Sequence, residues 1–135
     1  MGTILKAMAW LGLMLGAGCA FDISRVRQQP TMFTAATSPV SSFILHSEIK
    51  ATMGTGFPTR LKAGTRWHHV GSIAQGAVFT TKDQVVMVEA SNNYEAHLVV
   101  ADNCLQGFYL PVESTFVAVS RPIPLETQPL NPNQP

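Results

Sequence analysis

The stretch Gln84-Val-Val-Met-Val-Glu-Ala-Ser-Asn-Asn-Tyr-Glu-Ala-His-Leu-Val-Val-Ala101 decides the fold class. Its first part, Gln84 to Ala90, is apolar at four successive positions, Val85 to Val88, as a central strand buried on both faces would be. Glu89 then falls on the side of Val85 and Met87, where it either needs a partner such as Arg66 or His97, or begins the turn. Ser91-Asn-Asn93 is a hairpin signal. Beyond it Tyr94, Ala96, Leu98 and Val100 alternate with Glu95, His97 and Val99, the period of two that puts successive side chains on opposite faces of a sheet. Two strands joined by a tight turn are the expected unit.

Outward from this hairpin the same pattern repeats. Towards the N-terminus, Phe43, Leu45, Ile49, Ala51 and Met53 share one face of an expected strand 43–53, and His46, Glu48, Lys50 and Thr52 the other. Gly54, Gly56 and Pro58 break it; Arg66 to Val70 and Ala77 to Thr80 give further strands, with Lys82-Asp83 as a turn. Towards the C-terminus, Asp102-Asn103 is a turn, followed by strands at Leu105–Leu110 and Thr115–Val119. No window sustains a 3.6-residue period, and no repeat recurs at fixed spacing. Short strands between turns leave edges exposed unless the sheet curls and closes. The expectation is all-β, a small barrel or compact sandwich over residues 43–120.

The flanks differ in composition. Residues 19–42 are rich in Ser, Thr, Gln, Ala and Pro, and read as a disordered tether. Residues 121–135 hold five prolines, which remove amide donors, and read as a disordered Pro-rich tail. Ahead of the tether, Lys6 is followed by an uncharged apolar run, Ala7 to Gly18, ending at Cys19 and then Asp22, Arg25 and Arg27. Twelve helical residues span roughly 18 Å, short of a bilayer core of about 30 Å, so the run 1–18 reads as an export signal. Cleavage after a small-x-small triplet such as Gly18-Cys19-Ala20 is one outcome.

The other follows from Leu15-Gly-Ala-Gly-Cys19, which resembles the lipobox of bacterial lipoproteins, with Leu15 one place early and Gly16 in its usual slot. That resemblance implies diacylglyceryl attachment at Cys19. With Ala20 rather than aspartate next, it also implies an outer-membrane lipoprotein in a Gram-negative host, facing the periplasm or the cell surface. Separately, Gly107-Phe-Tyr-Leu-Pro111 with Phe116-Val117 resembles the end of an SH3 domain and implies an SH3-like barrel. That family's N-terminal aromatic motif and acidic loop have no counterpart here, so proline-peptide binding by Tyr109 or Phe116 is not carried over.

Chemistry is sparse. Removal of the signal takes Lys6 with it and leaves eight basic against eight acidic residues, with no basic cluster for nucleic acid. His68 and His69 are neighbours and so point to opposite faces of a strand; a metal site would need His46 or His97 with Glu48 or Glu95, and no ligand spacing supports one. Val70-Gly-Ser72-Ile-Ala lacks the form of a nucleophile elbow, and nothing beside Cys104 would lower its pKa. The sequence reads as non-catalytic and cofactor-free, with the membrane as a partner through the anchor and envelope proteins as the others. Trp67, Phe108 and Tyr109 are the candidates for an exposed aromatic interaction surface, although aromatics flanked by glycines are more often the core plugs of a small barrel. A periplasmic binding module for a small ligand or peptidoglycan is the alternative, with a groove lined by Trp67 and Tyr109.

Overall fold

The structure, a computed structural model, describes residues 27–37, 41–54, 58–89 and 92–130. The export signal, Cys19 and Ala20 lie outside the described residues. Within them the chain is all-β, as expected. Its strands are β1 (Gln29–Pro30), β2 (Thr34–Ala35), β3 (Ser42–Leu45), β4 (Ile49–Ala51), β5 (Thr59–Leu61), β6 (Arg66–Ile73) and β7 (Gly76–Thr80). They are followed by β8 (Met87–Glu89), β9 (Asn93–Glu95), β10 (His97–Ala101), β11 (Cys104–Leu110), β12 (Thr115–Pro124) and β13 (Thr127–Pro129).

Nine of these form one antiparallel sheet in the order β1-β12-β11-β10-β7-β6-β3-β13, with β2 paired to β6 beside β3. The β10–β11 hairpin turns on Asp102 and Asn103, both at positive φ (53° and 61°), the two-residue geometry whose twist matches the flanking strands. Gln106 is bulged out between the Val99–Gly107 and Val100–Leu105 pairs. β12 leaves β11 after Ala118 and rejoins it at Ile123; in between, Ser120 donates its amide and its hydroxyl to the Thr52 carbonyl at the end of β4. Such irregularities bend the sheet onto its second layer.

That layer consists of the β4–β5 and β8–β9 hairpins. Thr59 Oγ1 on β5 joins them by donating to the Met87 carbonyl on β8. Between the layers lies the main core, which includes Leu45, Leu61, Trp67, Val88, Leu98, Leu105, Phe108 and Val117, all essentially inaccessible. Each such apolar side chain contributes about 1.5–3 kcal/mol when fully buried. The opposite face of the sheet is covered too: Ile73, Val78, Val99, Tyr109 and Phe116 form a smaller core. Neighbours therefore divide between the cores, Phe108 and Tyr109 in β11 and Phe116 and Val117 in β12. The N-terminal arm crosses this second face, pairing with β12 through β1 and with β6 through β2, and stacks Phe33 on Tyr109 at 5.4 Å and 12°.

Four expectations are corrected. The strand expected over 43–53 is two strands: in and out alternation persists, but His46 gives its amide to Glu126 and the chain bends at Ser47 into the second layer. The stretch 84–90 is not a central strand. Only Met87–Glu89 is extended, in a peripheral hairpin with Val86 and Val88 buried, Val85 and Met87 outward, and Glu89 exposed and in need of no buried partner. The tether 19–42 and the tail 121–135 are not wholly outside the fold, so the domain extends beyond 43–120. Arm residues pair with β12 and β6, β12 runs on to Pro124, Leu125 is buried, and β13 pairs with β3. Finally, Trp67, Phe108 and Tyr109 are core residues rather than an exposed patch.

Prolines fit these strands because amides alternate in direction along them. Thr31 and Leu125 send their amides to Ser114 and Asn103, turn residues that continue the ladders with β12 and β11, and Leu130 sends its amide to Ser42 on β3. The adjacent Pro30, Pro124 and Pro129 therefore occupy positions whose nitrogen faces away from the ladder, and Pro122, two before Pro124, does likewise. A missing donor costs nothing there.

Candidate functional site

The described surface contains a cleft of about 220 Å³ where β7, the β8 hairpin and β10 meet. Thr80, Thr81 and Lys82 at the end of β7 form one wall, Gln84 to Val86 a second, and Glu95 to His97 a third, with Trp67 among the lining. The walls are pinned from outside. Asp83 donates its amide to the Thr81 hydroxyl oxygen (3.0 Å), and its carboxylate accepts from the Arg66 amide (2.7 Å). Gln84 accepts from the Lys62 amide at 2.8 Å and donates to the Arg60 carbonyl at 3.0 Å. Ala96 donates to the Val86 carbonyl at 2.9 Å, so the second and third walls are tied directly. The cleft is thus preformed.

Its polar groups are of both signs, Lys82 and Glu95, together with His97. Glu95 at the end of β9 and His97 at the start of β10 both line the cleft, either side of the buried Ala96. Burial lowers the His97 pKa from its ordinary value, and the Glu95 charge offsets part of that effect. The imidazole is neutral near pH 7 and offers one donor and one acceptor. At about 220 Å³ the cleft is smaller than drug-sized pockets, which run from about 300 Å³ upward, so it suits a small polar molecule. Its rim is apolar, with Val85 77 % exposed and Met87 on the same outward face.

The aromatic candidates are only partly brought together. Trp67 and Phe108 share the main core, and Trp67 anchors its Nε1 on Thr65 Oγ1 at 2.8 Å. Tyr109 lies on the other face beneath Phe33, and outside the cleft lining. The histidines are dispersed: His68 Nδ1 pairs with Ser42 Oγ at 2.8 Å, and His69 lies against the Phe79 ring. Among the described residues no cluster of His, Cys, Asp or Glu has the makings of a metal site. Cys104 is a partly buried free thiol. Sequence reasoning missed the cleft because Thr80, Lys82 and Gln84 come together only through the turn geometry of 81–86; the Glu95-x-His97 spacing was the one available signal.

No protein-family model, curated protein or solved structure matches the chain.

Proposed function

We propose that the protein is a non-catalytic lipoprotein of the bacterial cell envelope, anchored by lipid at Cys19 and serving as a structural or adaptor component of an envelope assembly, such as a secretion or conjugation machine. The observation that carries this reading is the order of the N-terminal segments. A short apolar run stops at a cysteine, charged residues follow, and the first strand begins ten residues later at Gln29. The outer membrane is the proposed location, with the body in the periplasm or at the cell surface. Outward Val85 and Met87 on a rigid hairpin supply an apolar contact for a protein partner.

Intact mass of the mature protein from membranes, beside Cys19→Ala, tests the anchor. A diacylglyceryl-modified chain beginning at Cys19, absent in the variant, is expected; an unmodified chain sinks the lipoprotein reading. Val85→Glu with Met87→Glu should abolish co-purification of envelope proteins while leaving the fold intact.

The cleft favours a second reading, a binding module for a small ligand or a peptidoglycan fragment. Convergent Lys82, Glu95 and His97 support it. Titration of soluble muropeptides against the protein by NMR should then shift the Lys82 and Glu95 amides. Shifts confined to Val85 and Met87 would count against it.

A further inference from the structure

The arm fixes where the body sits relative to its anchor. A tether running from Cys19 to residue 42 would place the domain about 25 Å away by flexible-chain scaling. The structure shortens it. Gln29 is already paired with Phe116, and Gln28 is held by the Thr115 hydroxyl at 3.1 Å. Ten residues from Cys19 to Gln29 can reach no further than about 35 Å. The end of the molecule where the chain enters the fold is therefore held beside whatever surface carries Cys19.

That end is apolar. Thr31 donates its amide to the Ser114 carbonyl at 3.0 Å, which sets Met32 next to the β11–β12 turn, Pro111 to Ser114. Met32 and Val112, each 83 % exposed, are the two most exposed large apolar side chains among the described residues. Glu113 shares the turn and is exposed. Elsewhere, exposed Val85 and Met87 belong to the β8 hairpin and have no such link to the anchor.

We infer that the Met32–Val112 end docks on the bilayer that holds the Cys19 lipid, so that β1 and the β11–β12 turn face the membrane and the body has one orientation. This rests on the lipoprotein reading. The bilayer is favoured over a protein occupant because only the bilayer is brought within reach by the anchor itself.

The test uses lipidated full-length protein in vesicles of phosphatidylethanolamine and phosphatidylglycerol. In a Cys104→Ser background, spin labels are placed by Met32→Cys, by Val112→Cys and, on exposed β13 at the other end of the sheet order, by Gln128→Cys. Labels at 32 and 112 should lose access to an aqueous nickel chelate and gain access to oxygen, while the label at 128 stays in water. Lipid on Cys19 by mass, with labels at 32 and 112 as wet as that at 128, overturns the docking and leaves the anchor standing. Equal shielding at all three sites also overturns it. Absence of lipid by mass removes both.

Discussion

Gly71 stands where β2 pairs with β6, and a Cβ built there would fall on the Thr34 carbonyl oxygen and the Phe33 ring. The arm can lie flat on the sheet only because that atom is missing. Gly71→Ala should lift the arm and cost about 1–3 kcal/mol, the usual range for overpacking, read as a lower urea midpoint with faster proteolysis near Phe33. His97 supplies a pH dependence with a defined sign. Its pKa is lowered by burial below the ordinary 6.5, so over the interval between the two values the unfolded chain holds more protons than the folded one. The contribution is complete above about pH 6.5 and is lost as pH falls through the lowered folded value. Urea midpoints should drop between about pH 7.5 and about pH 5.5, and His97→Gln should flatten that change. A midpoint that rose on acidification would contradict the burial of this imidazole.

Among elements, the arm and β13 show what the sequence withholds. The alternation of Phe43 to Met53 and the turn chemistry of Asp102-Asn103 were readable because each is local. Pro30, Pro122, Pro124 and Pro129 concealed strands, because whether a proline breaks a strand depends on which way its nitrogen faces, and that is set by a partner far along the chain. The same rule yields a paired test. Ala36 gives its amide to the Val70 carbonyl at 3.0 Å, whereas the Ala35 amide faces away by alternation. Ala36→Pro should destabilise by about 1–2 kcal/mol and remove hydrogen-exchange protection from the arm, and Ala35→Pro should cost much less. Equal effects at both positions would mean that β2 is not held by its ladder. Val85 to Val88 misled in a different way: four apolar residues in a row do not reveal which of the two faces meets a second layer.

Taken as a whole, the main sheet has its two edges supplied by strands from the two flanks of the chain. β1 pairs with β12 and β13 with β3, so both flanks return to strands distant in sequence. A chain stopped at Ser120 would lose β13, the Ile123 packing and the buried Leu125. Leucine burial alone is worth about 1.5–3 kcal/mol, and the truncation should lower stability by more than that, with a shallower urea transition. All-β architecture was readable from periodicity and turns. The cleft was not, since its walls come from three separate strand ends, and nor was the placing of Met32 beside the β11–β12 turn, which depends on Thr31 meeting Ser114 across most of the chain.

The two-residue strands of the arm also have a mechanical meaning. On the lipoprotein reading, a pull between Cys19 and the body would pass through β1 and then β2, each with only two ladder pairs. These are the first links to open under load. The contour length of residues 29–41 is about 40 Å, and their release would lengthen the connection by that length less the span they already cover, while β6, β7, β10 and β11 stay folded. Single-molecule pulling should then register release of the arm as one small, reversible step in extension before the body unfolds.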